Sequence, residues 1–247
     1  MDLLAAYAPW QLAAALAAAF GSAFVRGLTG FGMAILLVPI LALALTPLDA
    51  VLLANFLSIF IGLSEIVRLV RGAERSAWII SGIVLLTAPV GFVALSLTSP
   101  AAARLIIALI AFSAFLAVLL PRRPAAPPGA AATGGVGVVS GLMTGYAGMP
   151  GPPVVPFYVG RDIPRETAKA SMMLIFTIAP VAGLATGAIM DVLDWRLPVL
   201  ALCLFPAVLL GNRLGDRASG RIGDRTWRSI VGIVLAGAAI AAFVRLV

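Results

Sequence analysis

The chain of 247 residues contains no histidine and a single cysteine. Without histidine it lacks the commonest base, metal ligand and proton relay that titrate near neutral pH. Cys203 stands alone in an apolar run, so no intrachain disulfide forms and the thiol reads as inert packing. Charge is also scarce: 17 Lys and Arg with 10 Asp and Glu make up 11% of the residues, against roughly 25% in a soluble domain. What replaces charge is apolar side chain, 62% of the total, at a mean hydropathy of +1.12. A single soluble core buries only about three quarters of what its chain exposes, so a soluble enzyme, a disordered chain and a disulfide scaffold are all excluded. The composition is that of a polytopic, all-α membrane protein in contact with the lipid bilayer.

The net charge of +7 does not point to nucleic acid. The bases are not interleaved with aromatics; they stand at the ends of apolar runs, as the positive-inside rule requires. No nucleophile is paired with a base and no ligand cluster is visible, so neither an enzyme, nor a metal, nor a cofactor is expected. The opening MDLLAAYAPWQL lacks a basic leader region and reads as the start of the first membrane segment.

Runs long enough to span a bilayer, about 20 residues, cover Leu48–Val70, Trp78–Leu97, Ala101–Leu120, Ala168–Met190, Trp195–Leu214 and Thr226–Val247. Each half opens less regularly, with 9–45 interrupted by FVRGLTGFG and 134–160 interrupted by TGYAGMPGPP. An offset of 117 residues aligns Pro39 with Pro156, Pro47 with Pro164, Trp78 with Trp195, Pro89 with Pro206 and Arg104 with Arg221, without a gap. Asp49 and Glu166 also correspond. The chain therefore divides into a first transmembrane repeat (1–120), a Pro/Ala/Gly linker (121–133) and a second repeat (134–247), the usual build of a secondary transporter.

Charge decides the relation between the repeats. If each glycine-rich opening crosses once, the bases divide nine to seven between the two faces. If each opening is a hairpin, Arg68 to Arg75, Arg122, Arg123, Arg161 to Lys169 and Arg213 to Arg228 share one face. That is thirteen bases against Arg104, Arg196 and Arg245. The second division obeys the positive-inside rule, so inverted repeats are expected, with broken helices or helical hairpins meeting near the bilayer midplane.

Breaks at membrane depth survive only where protein or a watery cavity surrounds them. Half-helices restarting at Met33 and Val154 would offer free N–H groups and a positive dipole end, a natural anion site. The candidate substrate-binding residues are accordingly Arg26, Gly27, Thr29, Gly30, Phe31 and Gly32 in the first break and Thr144, Gly145, Tyr146, Gly148 and Gly151 in the second. The glycines have a second reading as helix-packing residues. Arg26 is either a clamp that donates paired bonds to an oxyanion or an interface anchor. The hydroxyls of Thr29, Thr144 and Tyr146 face the same choice between ligand and their own backbone. Asn55 and Ser58, one turn apart, and Ser171 and Thr177 in the other half either line the path or join helices. Glu65 and Arg68 have the spacing of an ion pair on one helix face. Asp49 and Glu166 suit a helix first turn, and Arg213 to Arg228 reads as a cytoplasmic loop.

With these breaks followed by the LLVPIL and PPVVPF prolines, the chain from Ala15 to Val244 resembles the sulfite exporter TauE/SafE family of bacterial membrane transporters. The resemblance implies movement of sulfur-containing anions, such as sulfite and organosulfonates, across the cytoplasmic membrane. It also implies that the segments around Gly27, Gly30 and Gly32 and around Gly145, Gly148 and Gly151 carry the substrate. The chain departs from the family where consecutive glycines are usual in the second break, placing Met149, Pro150, Pro152 and Pro153 there. The expectation is a secondary transporter of a small anion working by alternating access. An anion channel, or a carrier of a carboxylate or other oxyanion, is the alternative. Oligomeric state, a homodimer included, is left open.

Overall fold

The computed structural model describes residues 7–119, 129–159 and 161–218, and all regular structure among them is helical. The helices are α1 (Pro9–Thr29), α2 (Met33–Ala44), α3 (Pro47–Leu63), α4 (Ile66–Gly72), α5 (Arg75–Ser96), α6 (Pro100–Leu119), α7 (Ala130–Ala147), α8 (Gly151–Val159), α9 (Arg165–Ile189) and α10 (Arg196–Ala218). Their starts follow local chemistry. Pro9 and Pro47 occupy first-turn positions where no N–H is needed. Thr46 Oγ1 accepts from the Asp49 N–H at 3.1 Å, and Asp49 stands in the first turn as expected. Among the described residues four helices, α1, α5, α9 and α10, are long and apolar enough to cross a membrane, and α3 with α4 makes a fifth if counted as one broken span.

That break corrects the expected straight span at Leu48–Val70. The axis turns by 76° between α3 and α4. Ser64 Oγ donates back to the Ile61 carbonyl at 2.7 Å, and Glu65 is drawn sideways to Arg68. Two other boundaries move. Helix α7 starts at Ala130, inside the segment expected to be linker, and α10 continues through Ala218, so Arg213 and Arg217 are helical rather than in a loop. The expected span Thr226–Val247 lies outside the described residues.

The 117-residue offset carries over to the elements: α1 corresponds to α7, α2 to α8, α3 and α4 to the continuous α9, and α5 to α10. The halves pack by exchange. Helix α1 lies on α10, where Gly211 meets the backbone of Phe20 and Gly215 that of Phe24. Helix α5 lies on α7, with Gly137, Gly141 and Gly145 against Ile83, Thr87 and Ala88 in turn. In both pairs the numbering rises together, so the partners run in the same direction, and small residues let the backbones approach.

Each glycine-rich opening folds back. Gln11 Nε2, in the first turn of α1, donates to the carbonyl of Ala44, the last residue of α2, at 2.6 Å. Arg104 Nε of α6 donates to the Ala42 carbonyl at 2.6 Å. In the second half, Tyr158 near the end of α8 meets Ser76 in the first turn of α5, with 2.6 Å between hydroxyls. Helix α7 sets out from that same end of α5.

Two apolar clusters fill the interior. One is built on α1, α2, α3, α6 and α10, the other on α5, α8 and α9, so both mix the two halves; Met149 of the second break joins the first and Phe31 of the first break the second. The outer faces remain apolar, with Leu86 80% and Ile189 85% exposed, as suits contact with lipid chains. Trp10, Trp78 and Trp195 stand exposed at or beside helix starts, the depth at which tryptophans favour the membrane–water interface.

Candidate functional site

The two breaks meet. Gly30 and Gly32 adopt left-handed φ values of 83° and 93°, and Gly148 one of 65°, conformations that cost a side-chain-bearing residue roughly 1–2 kcal/mol. Thr29 Oγ1 clips the first turn by donating within its own backbone, and it accepts from the Phe31 N–H at 3.2 Å. In the second break Ser140 Oγ donates to the Pro150 carbonyl at 2.9 Å. Between the breaks lies a cavity of about 40 Å³, room for a few waters. Arg26, Phe31, Gly32, Met33, Ala34 and Ile35 line it from one half, and Gly148, Met149, Pro150 and Gly151 from the other. Ser58 and Ile61 of α3 and Met173, Phe176, Thr177 and Pro180 of α9 complete the wall. A Cβ on Gly151 would stand 3.5 Å from Ile35 Cδ1, so the two half-helix starts face each other at van der Waals range.

Their chemistry is unequal. Helix α2 opens with Met33, Ala34 and Ile35, whose N–H groups have no carbonyl within the helix to pair with. Helix α8 begins at Gly151, three residues before the expected Val154, so Pro152 and Pro153 lie inside its first turn and bring no N–H.

Arg26 is buried, 7% exposed, in the last turn of α1. Its Nη1 donates to Asn212 Oδ1 of α10 at 2.7 Å, and its Nη2 lies 3.5 Å from Glu65 Oε2. Asn212 Nδ2 donates to Glu65 Oε1 at 3.4 Å, and Arg68 Nη2 lies 2.8 Å from Glu65 Oε2, the pair expected from spacing. One carboxylate thus serves two guanidinium groups, leaving the group net positive beside the cavity. Arg26 is a buried cation that lines the cavity and is held by α10 and Glu65.

Of the other candidates, Phe31, Gly32, Ser58, Gly148 and Gly151 line the cavity with Arg26. Gly30 lies behind it against the Lys169 side chain. Asn55 is 1% exposed and unpaired at both polar atoms, its Oδ1 3.5 Å from where a Cβ of Gly148 would stand. Tyr146 Oη is likewise buried without a partner. The rest are not brought to the cavity. Gly27 packs under Asn212 and Gly145 under Ala88, where an added Cβ would fall 2.1 Å and 1.9 Å from a carbonyl oxygen. Thr144 donates to the Ser140 carbonyl at 2.7 Å, and Ser171 accepts from the Glu74 N–H at 2.9 Å.

Sequence reasoning passed over the apolar wall and the Glu65–Asn212 partnership with Arg26. Asn212, a lone amide near the end of the apolar run of α10, was the available signal for the latter. It also passed over a clasp between the halves. Arg161, just beyond α8, pairs with Glu74 at the head of α5, with Nη2 donating to Oε2 at 3.2 Å. The guanidinium stands 5.4 Å from the Phe157 ring centre and 5.7 Å from that of Tyr158.

A sequence profile described as sulfite exporter TauE/SafE matches residues 14–242. No curated protein and no solved structure matches the chain. With its apolar helices, duplicated broken-helix architecture and near-complete profile match, the chain belongs to the sulfite exporter TauE/SafE family of membrane transporters.

Proposed function

We propose that the protein carries a small oxyanion, sulfite or an organosulfonate, across the bacterial cytoplasmic membrane by alternating access. The substrate sits in the cavity between the breaks, held by Arg26 and the N–H groups that open α2. One observation carries this reading: both breaks, one from each half, line a single cavity that holds a buried arginine. A guanidinium and a helix N-terminus both favour an oxyanion. The repeats are inverted: α1 and α7 set out from opposite ends of the bundle, and each half folds back through its own half-helix. The parallel pairings of α1 with α10 and α5 with α7, and the returns at Ala44 and Tyr158, support that arrangement. Rocking of one repeat against the other about the breaks then opens the cavity to either face.

The test is counterflow in proteoliposomes. With unlabelled sulfite inside, external radiolabelled sulfite should accumulate transiently above equilibrium, and internal acetate or phosphate should not replace it. Uptake that equilibrates without overshoot and does not saturate identifies a channel, which needs weak, multiple sites. Overshoot driven by acetate but not sulfite removes sulfur from the reading.

A further inference from the structure

We propose that the occupant of this cavity is an organic monoanion, a single oxyanion head on an uncharged apolar body, in preference to inorganic sulfite or sulfate. The inference rests on the transporter reading above and names the substrate class of that site. It comes from the inequality of the two halves. In a duplicated chain with a symmetric site, both breaks would supply the same chemistry. Here the left-handed Gly30 and Gly148 match, which sets Thr144 where the first half has Arg26, and Gly151, Pro152 and Pro153 where it has Met33, Ala34 and Ile35. The second half has no cation at that place, and its half-helix start lacks two of the N–H donors that the first half offers.

The polar groups are accordingly few and gathered on the first half: Arg26, the N–H groups of the first turn of α2 and the Ser58 hydroxyl. The rest of the lining is apolar, with Phe31, Met33 and Ile61 from the first half and Met149, Pro150, Met173, Phe176 and Pro180 from the second. Thr177, the remaining hydroxyl in the wall, already donates to the Met173 carbonyl at 2.8 Å. An oxyanion fits one end only. A second charge at the far end, as in an aminosulfonate or a dicarboxylate, would lie against thioethers, prolines and a phenyl ring and lose its hydration uncompensated. The charges agree, since Arg26 and Arg68 against Glu65 leave one unit of positive charge to neutralise. The cavity of about 40 Å³ holds only a few waters as it stands, and Met173 and Met149, flexible and polarizable, are the side chains that give way to a short alkyl body.

The experiment measures binding to the full chain in a non-ionic detergent by ligand-dependent thermal stability. The probes are sulfite, sulfate, methanesulfonate, propane-1-sulfonate, taurine and butyrate. Propane-1-sulfonate should bind about tenfold more tightly than methanesulfonate, the return on burying two further methylenes. Sulfate and taurine should bind at least tenfold more weakly. Phe176→Ala should weaken propane-1-sulfonate more than methanesulfonate and so remove the chain-length gain. The double substitution Pro152→Ala, Pro153→Ala restores two donors at the first turn of α8 and should raise affinity for sulfate. Affinity that does not depend on chain length, or sulfate and taurine binding as well as propane-1-sulfonate, overturns the proposal while leaving sulfur-anion transport intact. Butyrate matching propane-1-sulfonate while sulfite gives no counterflow supports the proposal and overturns the sulfur reading. Absence of binding by every anion overturns both, and the wild-type series decides even where a variant fails to fold.

Discussion

Two glycines that look alike in the sequence should behave in opposite ways when given a methyl group. Gly145 stands three residues before Gly148, where the cavity-lining part of the second break begins, and Gly151 ends that part. At Gly145 a Cβ would fall 1.9 Å from the Ala88 carbonyl oxygen and 2.5 Å from the Phe92 nitrogen. Both are backbone atoms of α5, so neither can rotate away, and α5 and α7 must part by more than an ångström. Overpacking of this kind costs typically 1–3 kcal/mol. In a chain of this size that lowers the melting temperature by about 2–4 °C for each kcal/mol. At Gly151 the nearest neighbours would be Ile35 Cδ1 at 3.5 Å and Phe176 Cζ at 3.8 Å, ordinary contact, at a residue without positive φ. Alanine there should leave the fold intact or stabilise it slightly, by about 0.4–1 kcal/mol through the unfolded chain.

The methyl group of Gly151→Ala projects between the two half-helix starts, in a cavity of about 40 Å³ with room for only a few waters. Counterflow should therefore fall at least tenfold with no loss of stability. Gly145→Ala should lower the melting temperature, followed by intrinsic tryptophan fluorescence in detergent, and lose transport only in proportion to the folded protein. If Gly145→Ala kept the wild-type melting temperature and lost transport, Gly145 would be a binding residue and the packing argument would be wrong. If Gly151→Ala melted as early as Gly145→Ala, the cavity would not be the open space described.

Arg26→Ala leaves Glu65 paired with Arg68 alone and should cost about 3 kcal/mol, as for removal of one member of a buried pair. The double variant Arg26→Ala, Glu65→Gln should recover most of that stability without recovering counterflow, and full recovery of both would remove Arg26 from the site. The clasp between the halves is testable by cross-linking. Glu74→Cys with Arg161→Cys, in a Cys203→Ser background, should be joined by a short bifunctional methanethiosulfonate reagent that spans the space of the lost side chains and stops counterflow until it is reduced; transport by the cross-linked protein would mean that the clasp need not open. For the inverted arrangement, single cysteines at Arg71 and Arg217 should be labelled by an impermeant thiol reagent from one face and a cysteine at Arg196 from the other. Labelling of Arg71→Cys and Arg196→Cys from the same face would refute it.

Hydropathy was enough to find the long helices, because a membrane span is written in local composition and little else. The correspondence between the halves rests on marks of a related kind: Pro47 and Pro164 and Trp78 and Trp195 stand at or beside helix starts, and Pro89 and Pro206 inside the matching helices α5 and α10. The 76° bend was less legible, since its only local marks are Gly62 and Ser64, a pairing that permits a kink, inside a run otherwise apolar enough to span. At the break Glu65 pairs with two arginines, one of them 39 positions away in the chain, and the equivalent residues of the continuous α9 are the apolar Val181 and Ala182.

The glycines were the harder case, because the sequence states that a residue is small and not what its smallness admits. Gly27 and Gly145 admit another helix; Gly148 and Gly151 admit empty space. What separates the two kinds is the exchange of parts between the halves, with α1 on α10 and α7 on α5. That exchange sets Phe31 in a cluster with residues of α8 and α9, and Met149 in one with residues of α1, α2 and α3. Each break therefore packs in part against the half it does not belong to. The rocking proposed above would have to move both breaks and slide the pairs α1–α10 and α5–α7 together, since each of those pairs joins the two halves.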